Sequence, residues 1–99
     1  MNFSDLYAQD QRLALLRILE QDTAAYTLNE SMLQDCMGQV GHKCSRDCVR
    51  THLAWLKEQG LVTIDDNLGF YVATLTSRGV DVAQGTATAP GVKRPRPRA

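Results

Sequence analysis

Residues 45–79 constrain the fold of this chain more than any other segment. Ser45 is a residue type that commonly precedes a helix, and apolar residues follow it at helical spacing as far as a stop at Gly60. Two runs rich in Val, Ile, Thr and aromatic residues come next, at 61–65 and 70–75, and they indicate short strands. The polar turn between them contains Asn and Gly, which tolerate the positive φ values of a tight turn. The segment therefore predicts a helix followed directly by a β-hairpin.

Three further helices are predicted around this segment. The first spans residues 4–22, where leucines recur at helical spacing without a Gly or Pro. The second begins after the N-cap Asn29 and ends at a glycine, and the last begins after the N-cap Thr76. Residues 1–85 then form one domain. Residues 86–99 are small, Pro-containing and basic, and we predict a disordered tail there.

The composition is that of one globular domain, because the chain has 99 residues, 43% of them apolar and 22% charged. No apolar run approaches the ~18–20 residues that span a bilayer, and the first residues do not form a secretory signal. Three cysteines without framework spacing predict reduced thiols in a cytoplasmic protein. Phosphate-binding glycine loops and nucleophile motifs are absent from the sequence, so we expect neither an enzyme nor a cofactor.

Two stretches resemble winged helix-turn-helix regulators of the ArsR-like type. Residues 45–53 (SRDCVRTHL) with 58–62 (EQGLV) are similar to the recognition helix and first wing strand. Residues 75–79 (LTSRG) are similar to the LT-x-[KR]-G start of the helix after the wing. The resemblance covers roughly residues 10–84 and extends to small winged-helix proteins of Mu-type phages and prophages. It implies a mostly α fold with a small β-hairpin: a three-helix core, a two-stranded wing and a C-terminal helix.

That resemblance implies a transcriptional regulator whose partner is double-stranded DNA. A helix presented on a three-helix core can enter the major groove, where its N-terminal residues meet base edges. On the helix at 45–59, two arginines four residues apart share a face, and either can form two hydrogen bonds with a guanine. The predicted DNA contacts are Ser45, Arg46, Arg50, Thr51 and Lys43.

The charge distribution favours an alternative, a winged-helix adaptor that binds protein in phage DNA packaging or assembly without contacting DNA. The chain up to Ala89 carries seven basic and eleven acidic residues, a formal charge of −4, which weakens attraction to phosphate. Asp65 and Asp66 occupy the predicted wing, where minor-groove-binding wings carry Arg or Lys. Such an adaptor would bind protein through the same helix at 45–59 or through the acidic wing. A separate alternative is that Arg46, Asp47 and Arg50 form an ordinary solvated helix face.

The basic residues of the tail offer a second route to DNA. A flexible arm can contact phosphate while its prolines keep it extended. A tail that only increases solubility is the alternative. The predicted phosphate contacts are Lys93, Arg94, Arg96 and Arg98.

Five potential metal ligands fall within seventeen residues: Cys36, His42, Cys44, Cys48 and His52. Cys48 and His52 are four residues apart, which is a suitable spacing for two ligands on one helix face. The sequence lacks a CxxC pair, however, and buried free cysteine behaves as a small apolar residue. We therefore expect structural cysteines and no metal site.

The helix at 4–22 carries apolar residues on more than one side, because Ala14, Leu15 and Ile18 widen its leucine stripe. A small domain covers one side of such a helix easily. We therefore expect a homodimer through helix 4–22. The alternative is that Leu15 and Ile18 only border a broad core.

Overall fold

The computed structural model describes residues 2–21 and 25–96. Within these ranges the chain is a mixed α/β fold of four helices and three strands. The elements in chain order are α1 (Phe3–Gln21), β1 (Thr27–Asn29), α2 (Glu30–Gln39), α3 (Arg46–Glu58), β2 (Val62–Asn67), β3 (Phe70–Leu75) and α4 (Ser77–Gln84). The helix and hairpin predicted for residues 45–79 are both present. No helix in the described part of the chain is long and apolar enough to cross a membrane.

Side-chain caps fix where the helices begin. Asn29 accepts a hydrogen bond from the N–H of Met32 at 2.8 Å, and Ser45 does the same for Cys48 at 3.0 Å. Both caps were predicted, and each satisfies a backbone donor that the helix itself leaves unpaired. α1 begins earlier than predicted, because Asn2 rather than Ser4 accepts the first capping bond, from the N–H of Asp5 at 2.9 Å.

The three strands form one antiparallel sheet in the order β1-β3-β2. β2 and β3 pair from Val62 with Leu75 as far as Asn67 with Phe70, so the connecting turn has only two residues. Leu68 and Gly69 both adopt positive φ, at 53° and 88°. We had expected a longer turn, with Asn67 at positive φ. Continued strand pairing keeps Asn67 extended and places Leu68 in the left-handed conformation instead.

The core lies between the four helices and the inner face of the sheet. Its fully buried side chains include Leu15, Leu16 and Leu19 of α1 and Leu53 and Leu56 of α3. Leu15 therefore packs inside the subunit and is not available to a partner. The broad-core alternative is correct for this residue, because Leu15 and Leu16 point to adjacent parts of one interior.

Residues 86–96 do not form the disordered tail that we predicted. Ala89 and Val92 are 5% and 9% exposed, and the N–H of Lys93 donates to the carbonyl of Gln9 at 3.2 Å. The carbonyl of Gly91 accepts a hydrogen bond from Arg12 at 2.9 Å. Two apolar side chains in a polar segment are enough to dock it along α1, because buried apolar area stabilises the contact. We call residues 86–96 the strap.

The cysteines also differ from the prediction of three reduced thiols. Cys44 and Cys48 form a disulfide, with their Cα atoms 5.5 Å apart, and Cys36 is free. The cap at Ser45 turns the chain so that Cys44, just before it, lies beside Cys48 in the first turn of α3. The 5.5 Å between their Cα atoms is within the range that a disulfide requires. We call this bond the turn disulfide.

Candidate nucleic-acid or protein interface on helix α3

The outer face of α3 is uncovered. The exposed residues of this face are Asp47, Thr51, Ala54, Lys57 and Glu58. The opposite face of α3 packs into the core. This division follows from the spacing of apolar residues along the helix, which places them on one side. An exposed helix face held on a packed core is able to meet a partner as a rigid unit.

A cleft of about 360 Å³ lies between α3 and the hairpin. Its lining combines apolar and charged side chains. The residues are Ala54, Lys57 and Glu58 of α3, Ile64 and Asp66 of β2, and Tyr71 of β3. Asp66 and Tyr71 are directly opposite each other in the sheet, so they share the face that is turned to α3. We call this region the α3 cleft.

Arg50 connects α3 to the elements around the α3 cleft. Its Nη1 donates to both carboxylate oxygens of Glu30 at 2.9 Å and to the carbonyl of Gly69 at 2.9 Å. The guanidinium carbon lies 3.8 Å from the centroid of the Tyr71 ring, a cation–π contact. α2, α3 and the hairpin therefore share one anchored side chain.

The carboxylate that holds Arg50 is buried. The Glu30 side chain is 3% exposed, while that of Arg50 is 31% exposed. Glu30 also accepts a hydrogen bond from the N–H of Tyr71 at 3.3 Å. The hydrogen bond with Glu30 is the main cause that raises the pKa of Arg50. A buried carboxylate needs such a partner, because an unpaired buried charge is strongly unfavourable.

Glu30 and Tyr71 are site residues that the sequence analysis missed. Glu30 follows the Asn29 cap, and an acidic residue in a first helical turn is fully explained by the helix dipole. Tyr71 fits an ordinary strand pattern. Neither position carries a local signal for a contact with a residue 20 or 21 positions away, so only the tertiary structure reveals the cluster.

The remaining predicted DNA contacts lie in the first turns of α3 and just before it, and they are not all free. The Nε of Arg46 donates to Gln34 at 3.0 Å, and the hydroxyl of Ser45 is engaged in capping. Thr51 and Lys43 are exposed. Both arginines that we predicted to read guanine therefore have partners within the subunit.

The tip of the hairpin is acidic and apolar. Asp65 and Asp66 are exposed, as predicted. Leu68 is 103% exposed and Phe70 is 51% exposed. The carboxylate of Asp66 accepts a hydrogen bond from the N–H of Gly69 at 3.1 Å, which supports the turn. This tip offers no positive charge to a DNA minor groove.

Lys93 and Arg96 of the C-terminal segment lie near α1 and α4. Lys93 has its Nζ 3.5 Å from a carboxylate oxygen of Asp10 in α1. Arg94 and Arg96 are exposed, and Arg98 lies outside the described residues. The docked strap therefore holds Lys93 beside α1, which differs from the free arm that we expected.

The potential metal ligands do not converge. Cys44 and Cys48 are bonded to each other, and the described residues contain no cluster of three or more His, Cys, Asp or Glu that is able to hold a metal ion. His52 has its Nε2 2.8 Å from the side-chain oxygen of Gln11 and accepts from Arg12 at 3.4 Å. His42 lies 3.0 Å from the carboxylate of Asp10.

The surroundings of His52 keep its ring neutral. Burial is the main cause that lowers the pKa of His52 to about 4, and the nearby Arg12 and His42 lower it further. A neutral imidazole has one donor and one acceptor nitrogen, which matches the bonds to Gln11 and Arg12. His52 therefore acts as a core residue that joins α3 to α1.

Comparison with known proteins finds relatives in a phage and in a bacterium. It is 54% identical over 97 residues to gp26 of Escherichia phage Mu, an uncharacterized protein, with 97% of this chain and 98% of gp26 covered. The chain belongs to the gp26 family. A second member, an uncharacterized protein of Haemophilus influenzae, is 51% identical over 79 residues, which cover 79% of this chain and 76% of that protein. No family model matches the chain.

Membership in the gp26 family agrees with the phage origin that the sequence suggested. The match to gp26 covers nearly the whole of both proteins. It therefore includes the α3 cleft, the hairpin tip and the strap.

Proposed function

We propose that this member of the gp26 family is a winged helix-turn-helix protein. The support is the order of elements, in which α2, a short turn and α3 precede the β2–β3 hairpin, and the sheet order β1-β3-β2. In this arrangement the turn that contains the turn disulfide connects the two helices of the helix-turn-helix, and the hairpin is the wing.

We further propose that the protein binds double-stranded DNA through α3, as a phage-type transcriptional regulator. The observation that carries this proposal is the fixed guanidinium of Arg50 on the exposed side of α3. The hydrogen bonds of Arg50 to Glu30 and Gly69 start from Nη1, and a side-chain hydrogen bond with Tyr71 also raises its pKa. In this proposal the Nε–Nη2 edge serves as the two-donor fork, the geometry that reads a guanine edge.

The same contacts limit the electrostatic part of the binding. Five acidic residues and four basic ones lie on and around α3, and Glu30 compensates the charge of Arg50. The basic residues are Lys43, Arg46, Arg50 and Lys57, and the acidic residues are Glu30, Asp47, Glu58, Asp65 and Asp66. With three uncompensated cations meeting phosphate, log K falls with log[salt] with a slope of about −3. We therefore expect weak sequence-independent binding and a dependence on direct readout.

Fluorescence anisotropy with duplex DNA tests this proposal. The probe is a randomised 20-base-pair duplex pool, enriched by rounds of selection at 50 mM salt. We expect enrichment of guanine-containing sites and a shallow salt slope. Failure to bind the pool at 100 μM protein and 50 mM salt would refute DNA binding.

Two substitutions separate the roles of charge and geometry. Arg50→Lys keeps a cation beside Glu30 but lacks the fork, so the preference for the selected site over the starting pool should fall about tenfold or more. Glu30→Gln keeps an acceptor but removes the compensating charge, so binding to the starting pool should strengthen. Arg78→Lys, on the exposed side of α4, is the matched control and should change neither. Unchanged discrimination in Arg50→Lys would contradict the proposed role of Arg50.

The hairpin tip supports a second candidate, a winged-helix adaptor that binds protein in phage packaging or assembly. Fully exposed Leu68 and half-exposed Phe70 stand beside two aspartates, a combination that suits a protein surface with an apolar pocket and a basic rim. This candidate predicts no binding to the DNA pool at 50 mM salt. The anisotropy experiment therefore decides between the two functions.

A further inference from the structure

The first two turns of α1 form an exposed helix end, which meets the rest of the molecule where the Tyr7 ring lies 5.3 Å from that of His42, centroid to centroid. Every described residue from Asn2 to Tyr7 is exposed. Phe3, Leu6 and Tyr7 are 79%, 53% and 40% exposed, and the rings of Phe3 and Tyr7 stack with centroids 6.0 Å apart. A contiguous apolar end of this kind is typical of an interaction surface. We call it the projecting end.

A groove lined by both apolar and charged side chains lies further along the same helix. Ala14 and Ile18 of α1 and Val40 at the end of α2 line it, within a volume of about 290 Å³. The groove continues over Met32 and Cys36 of α2. Val40 is 55% exposed and Met32 is 46% exposed. We call this the α1 groove.

The projecting end and the α1 groove lie on one face of α1. A single stripe runs along α1 through Phe3, Tyr7, Ala14 and Ile18. Steps of three and four residues connect its members, and such steps return to the same side of a helix. α1 has 19 residues, which corresponds to about 28 Å. Both features are thus parts of one continuous surface.

We propose that this surface pairs with the same surface of a second copy, with the two α1 helices antiparallel. A two-fold axis near the middle of α1 places Leu6 of each copy beside Ile18 of the other. The projecting end of each copy then covers the α1 groove of its partner. Each contact occurs twice, as in an isologous interface. This proposal goes beyond the DNA-binding function and does not depend on it.

The charges in the α1 groove select the antiparallel direction. Asp10 and Arg17 both line it, and they are separated by about 10 Å along the helix. Arg17 is exposed and makes no ion pair or hydrogen bond within the described residues. Asp10 is 41% exposed beside His42 and Lys93. Antiparallel pairing brings Arg17 of one copy toward Asp10 of the other, whereas parallel pairing places like charges together.

The oligomeric state in solution tests the proposal. The monomer has a mass of 11.0 kDa, so sedimentation equilibrium at 100 μM protein should give about twice that value. Ala14→Arg inserts a large charged side chain at the centre of the interface, and the dimer should be lost. Arg17→Asp should raise the dimer dissociation constant at least tenfold. Ala54→Arg, on the exposed face of α3, is the matched control and should remain dimeric.

Crosslinking tests the direction of pairing separately. In a Cys36→Ser background, a mixture of Ser4→Cys and Gln21→Cys chains should form heterodimers with a short bismaleimide, and Ser4→Cys alone should not crosslink. Circular dichroism of each variant checks that the fold is retained. A monomer at 100 μM, a dimer that survives Ala14→Arg with the fold intact, or efficient crosslinking of Ser4→Cys to itself would each overturn the proposal.

Discussion

The two-residue turn of the hairpin holds Leu68 in a backbone conformation that suits another residue. Leu68 has φ of 53° and Gly69 has φ of 88°. A residue with a side chain pays roughly 1–2 kcal/mol for the left-handed conformation, whereas Asn tolerates it and Asn-Gly is the preferred pair for such a turn. The Leu68→Asn substitution should therefore stabilise the fold.

No other contact of Leu68 within the described part of the chain opposes the expected gain in stability from Leu68→Asn. The Leu68 side chain is 103% exposed, so its removal costs no buried apolar area. The hydrogen bond from the N–H of Gly69 to Asp66 involves no atom of Leu68 and remains. We expect a gain of about 1 kcal/mol in the free energy of unfolding. For a domain of this size, 1 kcal/mol corresponds to a rise of roughly 4–8 °C in Tm.

Thermal unfolding followed by circular dichroism measures this rise, and urea unfolding checks that the m value is unchanged. Leu68→Ala is the control, because it removes the exposed side chain but keeps the conformational cost. Its Tm should stay close to that of the parent chain. An Asn variant that is no more stable than the Ala variant would refute the argument from backbone conformation.

Three other predictions concern the packing around α3. The pKa of His52 is lowered to about 4 in the folded protein, so the unfolded chain binds the proton more readily than the folded one. The stability that neutral His52 contributes is therefore present above about pH 6.5 and is lost as the pH falls toward 4. Thermal scans across this range should show a smaller decrease for His52→Gln than for the parent chain. In Gly91→Ala, the new Cβ would lie 2.6 Å from the Trp55 ring, so the strap should be displaced. We expect the free energy of unfolding to fall by about 1–3 kcal/mol. The fluorescence of the single tryptophan should shift to longer wavelength. Iodoacetamide should modify only Cys36 in the denatured, unreduced chain and all three cysteines after reduction; three adducts without reductant would contradict the turn disulfide.

Local patterns in the sequence were sufficient for the four helices and the hairpin, but not for β1 or for the contacts between elements. The caps at Asn29 and Ser45 and the buried stripe of α3 depend on residues within one or two helical turns. The docking of the strap involves two buried side chains, Ala89 and Val92, and hydrogen bonds to α1, within a segment whose composition is otherwise typical of disorder. The composition of a segment does not show which of its residues are buried. A hydrogen bond between Arg12 and Gly91, 79 residues apart, cannot be predicted from the residues next to either of them.

The candidate site shows the same limit with a functional consequence. From the sequence, Arg46 and Arg50 were equivalent exposed cations on one helix face. In the structure, Arg50 is tied to a buried carboxylate and an aromatic ring, and Arg46 to an amide. Pairing with Glu30 reduces what Arg50 contributes to general attraction for phosphate, yet it fixes the guanidinium plane, which is what directional recognition requires. The net charge of the chain therefore affects its affinity for DNA of any sequence, and the geometry of Arg50 affects which sequence it would prefer. These two properties can be measured separately, because Glu30→Gln should change the affinity for any sequence and Arg50→Lys should change the sequence preference.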